Sequence, residues 1–235
     1  MRLLDLYCSA GGAGVGYARA GFEVVGVDNR PQPNYPFDFI QADALALDPA
    51  FLTTFDAIHA SPPCQKHTAA AVLQKKHHVD LIEPTRRMLQ ATGLPWIIEN
   101  VPGAPLFDPV TLCGLSFGLN VKRHRLFESN IRLVGTECVK GHPGDWLIVF
   151  GYSALRRSRG QGTGPKKDRG KSKGKSVPHA ETCAAMGIDW MTRTEISQSI
   201  PPAYSKFLGD QLRTHIENTT GASGSTTASA SSRAS

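Results

Sequence analysis

The side chains best suited to covalent chemistry in this 235-residue sequence are Cys64, directly after two prolines, Glu99, at the end of an apolar run, and Arg123 and Arg125, two residues apart. Residues 55–60 read as a strand that runs into Ser61-Pro62-Pro63-Cys64-Gln65. The two prolines stiffen that turn and set Cys64 at the carboxyl end of a strand, where α/β sheets bind ligands. A thiol there is a nucleophile if neighbouring cations or a helix N-terminus lower its pKa, and otherwise a small buried apolar group. The next strand, 96–99, ends at Glu99-Asn100-Val101-Pro102. A carboxyl group at that edge can act as an acid once burial raises its pKa. Lys122-Arg123-His124-Arg125 follows, and in an extended stretch Arg123 and Arg125 point to one side, where two guanidinium groups could meet one anionic or carbonyl-bearing ligand. Taken singly, each of these charges is equally well a surface ion pair.

A second constellation lies at the N-terminus. A short strand over 2–6 leads into Cys8-Ser9-Ala10-Gly11-Gly12-Ala13-Gly14, then a helix over 15–20 closed by Gly21. Val24-Val25-Gly26-Val27 is a buried strand ending at Asp28. Glycines at 11, 12, 14 and 16 let the backbone approach a ligand, and Asp28 stands where a carboxylate can take both ribose hydroxyls. This is a nucleoside-binding layout, although glycine turns also serve ordinary strand–helix junctions. The spacing Gly-Gly-x-Gly-x-Gly departs from GxGxxG and tilts away from a nicotinamide or flavin site. A triphosphate loop is excluded, because Gly170-Lys171-Ser172 has Pro165 and Gly174-Lys175-Ser176 has Arg169 where the first glycine is required.

The elements that must position these residues alternate strand and helix, which predicts a mostly parallel α/β sheet over 1–128. A helix is expected over 81–92. Residues 129–182 read as a small, loop-rich lobe with one strand at 146–150, residues 183–217 as a return to the first domain with a helix over 202–216, and 218–235 as a disordered tail lacking large apolar residues. The chain's net charge is +6, yet residues 156–175 alone hold nine basic residues against one acid, so this segment supplies the whole basic excess. Such a loop, with Arg156, Arg157, Arg159, Lys166 and Lys167, suits DNA or RNA, or is a solvated linker. No apolar run reaches membrane length, and Asp5 interrupts any signal-peptide core, so no membrane insertion and no secretion are expected. Five widely spaced cysteines without CxxC fit reduced thiols in the cytosol. Cys138-x3-His142 and His179-x3-Cys183 could pair as zinc ligands, but 36 residues and the basic loop separate them and neither has a common finger spacing, so no metal is assigned.

Taken together, Asp5-Leu6-Tyr7-Cys8-Ser9-Ala10-Gly11-Gly12, Pro62-Pro63-Cys64-Gln65, Glu99-Asn100-Val101, Arg123-x-Arg125 and Ile200-Pro201-Pro202-Ala203-Tyr204 make the sequence resemble the cytosine-C5 DNA methyltransferases, over nearly the whole chain except the tail. The resemblance implies a Rossmann-like methyltransferase sheet with a small target-recognition lobe, S-adenosylmethionine as cofactor and double-stranded DNA as partner of a monomeric cytoplasmic enzyme. It assigns Asp5, Tyr7, Gly11, Gly12, Gly14, Asp28, Asp43 and Pro63 to the cofactor. Within that set Tyr7 stacks on adenine, Asp28 binds the ribose and Asp43 lies near the adenine amino group. Cys64 matches the nucleophile, Glu99 the acid on the cytosine ring and Arg125 a base-contacting arginine, with Arg123 in the same cluster. The family's chemistry requires a flipped-out cytosine, and residues 65–79, including Gln65 and Lys66, would close over it.

The sequence departs from the family at Val121 (usually Gln), Lys122 (usually Arg), Gln198 (usually Asn) and Lys66-His67 (usually Phe-Ser). These changes bear on phosphate contacts and loop closure more than on thiolate chemistry. An RNA cytosine methyltransferase, transfer of a group larger than methyl, an inactive cofactor- and DNA-binding protein, and a generic nucleic-acid binder driven by the basic loop are the competing readings.

Overall fold

The computed structural model describes residues 1–63, 80–138, 142, 144–150, 153–157 and 177–224. Strands β1 (Arg2–Leu6), β2 (Glu23–Asp28), β3 (Asp38–Gln41), β4 (Ala57–Ala60), β5 (Trp96–Asn100), β6 (Val110–Cys113) and β7 (His124–Ser129) form one sheet in the order β3-β2-β1-β4-β5-β7-β6. The pairs from β3 to β5 are parallel, and β7 inserts antiparallel between β5 and β6. Helices α1 (Gly12–Arg19), α2 (Pro49–Leu52) and α3 (Ile82–Thr92) lie within this part of the chain. Strands β8 (Trp146–Phe150) and β9 (Ser153–Arg157) make a separate hairpin, followed by α4 (His179–Met186), α5 (Arg193–Gln198) and α6 (Pro202–Gly224).

Both faces of the parallel strands are covered, so the strands are continuously apolar rather than alternating. Along β1 and β5 neighbouring residues go to opposite sides. Leu3 and Ile97 join Tyr17, Phe127, Tyr204 and Leu208 on the α1/α6 face, while Leu4 and Ile98 join Leu52, Leu89 and Trp96 on the α2/α3 face. Helix α1 starts three residues earlier than its apolar pattern predicts. Gly11 caps it at φ 84°, and the first turn is kept slim by glycine. A Cβ at Gly16 would stand 2.0 Å from Ser205 Oγ and 2.2 Å from the Pro202 carbonyl, so α1 and α6 touch where only glycine fits.

A third apolar cluster holds the smaller lobe together. It draws on Val121 as well as Leu147, Val149, Ala154 and Val177, and it runs on through Met186, Met191 and Ile196, past the boundary at 182 expected from composition. Val121, where the family usually has Gln, is fully buried in it and bridges Leu147. Of the tail expected to be disordered from 218 to 235, residues 218–224 continue α6 to Gly224, and 225–235 lie outside the described residues. Extending an existing helix needs no new nucleus, and the Thr219 and Thr220 hydroxyls donate back to the carbonyls of His215 (3.0 Å) and Ile216 (2.9 Å).

Helix α3 is fastened to β7 by a buried ion pair. Arg86 Nε lies 2.6 Å from Glu128 Oε1 and Nη2 2.8 Å from Oε2, with Arg86 4% and Glu128 3% exposed. Glu128 also accepts the Phe107 N–H, and the guanidinium covers the Phe107 ring. Removing one partner strands the other charge in the core. Arg86→Leu is therefore expected to destabilise by about 3–5 kcal/mol, whereas Lys206→Ala, which breaks the exposed pair with Asp210, costs under about 1 kcal/mol. Urea titration of both variants distinguishes them.

Candidate active site

The carboxyl ends of β1, β2, β4 and β5 meet along one edge of the sheet. There, strand order reverses between β1 and β4, the position in such sheets at which loops diverge and a ligand crevice forms. After β1 the chain turns through three left-handed residues, Tyr7 (φ 57°), Ser9 (φ 45°) and Gly11 (φ 84°). This aims the Ser9 N–H at Asp28 Oδ2 (3.1 Å), while Asp28 Oδ1 accepts from the Arg30 N–H (3.0 Å). Each Asp28 oxygen keeps a lone pair for a further donor. Tyr7 is anchored through its hydroxyl to Thr85 of α3 (2.9 Å). Asp43 is exposed and caps a short 3-10 turn through the Leu45 N–H.

The glycines of the turn divide their work. Gly12 faces Ser199 and the Ile200 carbonyl, and Gly16 faces α6, so close packing of the protein on itself requires them. Tyr35, which the sequence reading did not single out, covers Gly11, Gly14 and Gly26; a Cβ at Gly26 would lie 2.3 Å from its ring. Its hydroxyl donates to Asp5 Oδ2 (3.3 Å). Asp5 is fully buried, and Oδ1 has no hydrogen-bond partner. Burial, with the nearby Asp28 charge adding to it, pushes the Asp5 carboxyl up to about 7, against the pull of Tyr35 and the Gly14 N–H.

On the far side of the crevice, β4 leads into Ser61-Pro62-Pro63. The Ser61 N–H donates to the Leu6 carbonyl (3.1 Å), and Asn100 Nδ2 donates to the Pro62 carbonyl (3.0 Å). Asn100 thus fixes the backbone two residues before Cys64. Pro63 is half-buried. Cys64, Gln65, Lys66, Arg159, Lys166 and Lys167 lie outside the described residues, and Arg156 and Arg157 are described as backbone of β9, opposite Leu147 and Trp146.

Glu99, the last residue but one of β5, is 8% exposed, and Arg125 Nε reaches its Oε1 at 2.9 Å. Burial raises the Glu99 carboxyl above its ordinary value, and the charges of Arg125 and Arg123 and a hydrogen bond from Ser61 pull it back only in part. Behind Ser61 stand two fully buried groups, with His59 Nε2 2.9 Å from Ser61 Oγ and His59 Nδ1 3.0 Å from the Tyr17 hydroxyl. Burial lowers His59 to about 3, so its ring is neutral, with one donor and one acceptor. With Glu99 ionised, Ser61 donates to the carboxylate, Nε2–H donates to Ser61, and Nδ1 accepts from Tyr17. His59 carries no sequence signal beyond a polar residue in a run of four buried ones.

Both arginines of the expected cluster bear on Glu99, since the charge of each pulls its carboxyl down. Arg123 Nη1 donates to the Val149 carbonyl (3.0 Å) and Nη2 to that of Ser197 (2.8 Å), and the residue is 5% exposed. It ties β8 and α5 to the main sheet, while Arg125 Nε reaches Glu99. The Tyr204 hydroxyl donates to the Arg123 carbonyl, which explains the use of Ile200-Pro201-Pro202-Ala203-Tyr204.

Residues other than the expected ones also gather near this edge. Cys138 and His142 stand with Cys113 and His124, not with His179 and Cys183. His179 Nε2 donates instead to the Met191 carbonyl (2.9 Å) and lies 3.5 Å from Cys183 Sγ.

Comparison with solved structures decides the fold. A Dnmt2 methyltransferase of S. pombe superposes with a TM-score of 0.61 at 14% identity, covering 92% of this chain and 99% of that one. A mutant DNMT2 of Spodoptera frugiperda gives 0.60 at 13% over 90% and 99% of the two chains. A protein described as a DNA modification methyltransferase from an E. coli prophage gives 0.59 at 14% over 93% and 99%. The chain has a methyltransferase fold. No protein-family model matches the sequence, and no curated protein does. In this methyltransferase fold no helix among the described residues is long and apolar enough to cross a membrane.

The buried Asp5 carboxyl gives a pH test. An unfolded aspartate titrates near 4, so the folded state holds the Asp5 proton more tightly, and this group makes the protein less stable as pH rises from about 4 to about 7. At pH 8 the cost reaches about 4 kcal/mol. Asp5→Asn removes the titration, so its stability relative to wild type should rise between pH 5 and pH 8. Urea midpoints with equal shifts at both pH values would show that the carboxyl does not titrate in this range.

Proposed function

We propose that this protein is a DNA cytosine-C5 methyltransferase that uses S-adenosylmethionine. The observation that carries the reading is Glu99, buried with a raised pKa, paired with Arg125, and facing the Ser61-Pro62-Pro63 turn that leads into Cys64. A structural protein gains little from a buried acid whose proton is held above the ordinary carboxylate range at this edge of the sheet. The methyltransferase fold and the ordered sequence blocks support the same reading.

The residues present fit the cofactor. Asp28 offers free lone pairs at the tip of β2 for ribose hydroxyls, and the unpartnered Asp5 oxygen beneath the glycine turn suits a cationic ligand. Tyr7, Asp43, Gly11, Gly12, Gly14 and Pro63 would complete the site, and S-adenosylmethionine bound there would supply an electrophilic methyl group. Carbon 5 of cytosine is a weak nucleophile. Addition of the Cys64 thiolate to carbon 6 makes the ring enamine-like, while Glu99 donates a proton or hydrogen bond at ring nitrogen 3. Arg125 holds the Glu99 carboxyl in place. After methylation, loss of the carbon-5 proton and departure of Cys64 restore the aromatic ring. A stacked base cannot be attacked on its face, so the target is flipped out. The basic residues Arg156, Arg157, Arg159, Lys166 and Lys167, with Gln65 and Lys66, would hold the DNA backbone and the emptied position.

The test is to incubate wild type, Cys64→Ser and Glu99→Gln with S-adenosylmethionine and duplex DNA or RNA, and to measure nucleosides by mass spectrometry. 5-Methylcytosine in DNA from wild type and none from Cys64→Ser is expected. Product in RNA alone would move the substrate class, a heavier adduct would change the transferred group, and no product on either would leave a binding protein. Glu99→Gln should lower kcat roughly 10²–10⁴-fold. The wild-type pH profile should fall as Glu99 loses its proton, above the ordinary carboxylate range, and Glu99→Gln should lack that falling limb.

A further inference from the structure

Cys113, His124, Cys138 and His142 come from three separate parts of the chain, yet their ligand atoms all lie within 4.8 Å of one another. Cys113 and His124 face each other in register at the end of β6 and the start of β7. Cys138 and His142 come from the segment that leaves β7. His142 Nε2 is 3.2 Å from His124 Nε2, 3.2 Å from Cys138 Sγ and 3.7 Å from Cys113 Sγ, and His124 Nε2 is 3.2 Å from Cys138 Sγ. Tetrahedral bonds of about 2.0–2.1 Å to nitrogen and about 2.3 Å to sulfur set ligand atoms roughly 3.3–3.8 Å apart, so these spacings are close to the edges of one coordination tetrahedron.

Two further features point to a ligand at the centre. Four side chains turn both imidazole Nε2 atoms and both thiols toward one another, although at most some of these contacts can be hydrogen bonds between neutral groups. His142 also holds a left-handed backbone (φ 47°), unfavourable for a residue with a side chain, and its carbonyl accepts the Trp146 indole N–H (2.9 Å). Strain of this kind persists where surroundings over-determine the position.

We propose that Cys113, His124, Cys138 and His142 bind one structural zinc ion. Two thiolates and two neutral imidazoles suit Zn²⁺ and close all four positions, leaving none for substrate. Binding displaces the two thiol protons to solvent, so the dication meets two anionic ligands. The ion cross-links β6 and β7 to Cys138 and His142, and its ligand His124 lies one residue from Arg125, whose Nη1 donates to the His124 carbonyl (2.8 Å). It therefore fastens the strand entry from which Arg125 reaches Glu99. The site stands on its own geometry and not on the reaction proposed above.

Metal content of untagged full-length protein, measured by inductively coupled plasma mass spectrometry, tests this directly. About one zinc per chain is expected in wild type, with zinc retained in the control Cys183→Ser and lost from His142→Ala and Cys138→Ser. Losing a ligand should weaken binding at least as much as the roughly 10–100-fold that loss of an outer-shell partner costs. Because a variant can fail to fold, wild type stripped by chelator is also titrated with cobalt(II). Visible absorption of a tetrahedral thiolate–imidazole site, reversed by stoichiometric zinc, is the expected result, together with a fall in Tm on stripping. Wild-type protein that neither carries nor takes up metal in its reduced state, or that contains a Cys113–Cys138 disulfide, overturns the proposal.

Discussion

A carboxyl group taken out of water at the end of a strand needs a cation beside it, and this need organises the active edge. Glu99 stands next to the last residue of β5, where burial pushes its carboxyl above the ordinary range. Its cation does not come from the next parallel strand. It comes from β7, which runs the other way and so brings its first residues, not its last, to the carboxyl edge of β5. The insertion of one antiparallel strand between β5 and β6 is therefore what lets Arg125 reach Glu99. Everything that fixes the entry to β7 bears on that ion pair. Tyr204 grips the Arg123 carbonyl, and Cys113 pairs with His124 in register.

The sheet was legible because parallel strands covered on both faces are written as short apolar runs separated by turn residues. The runs ending at Leu6, Asp28, Ala60 and Glu99 all form strands whose carboxyl ends meet. Glu99 and Arg125 were legible for the same reason, as charges at the ends of apolar runs. His59 was not, since one polar residue among buried neighbours looks the same whether it relays hydrogen bonds or fills space. Tyr35 was hidden as well. It lies in a loop, and only folding shows that it covers three glycines far apart in sequence. The zinc ligands were half legible. Cys138 and His142 are four apart, but their partners arrive through the β6–β7 pairing, which sequence spacing does not encode.

The glycine turn shows why glycine-rich motifs are weak signals. Glycine permits close approach without saying what approaches. Gly12 and Gly16 admit the segment that begins α6, and Gly11, Gly14 and Gly26 admit Tyr35. What singles out this turn is Asp28, which accepts two backbone N–H groups and retains lone pairs, and Asp5, buried with an oxygen unpartnered. Buried acids are destabilising unless something answers them, so these two carboxylates carry more functional information than the glycines that frame them.

Arg123 and Arg125 share a motif but divide its labour. Arg125 faces the acid. Arg123 turns to the carbonyls of Val149 and Ser197, which belong to the hairpin and to α5 of the smaller lobe. Guanidinium suits this task because its fixed fork can hold two carbonyls at once without losing its charge. The consequence is mechanical: a shift of β8 or α5 pulls on the residue that precedes β7 and hence on the strand that carries Arg125. Trp190 adds a second tie, donating its indole N–H to the Ala10 carbonyl in the glycine turn (2.8 Å). The hairpin and the helices after it are thus joined by polar contacts both to the glycine turn and to the entry of β7. A target seated against that lobe would bear on the glycine turn and on the Glu99–Arg125 pair at once.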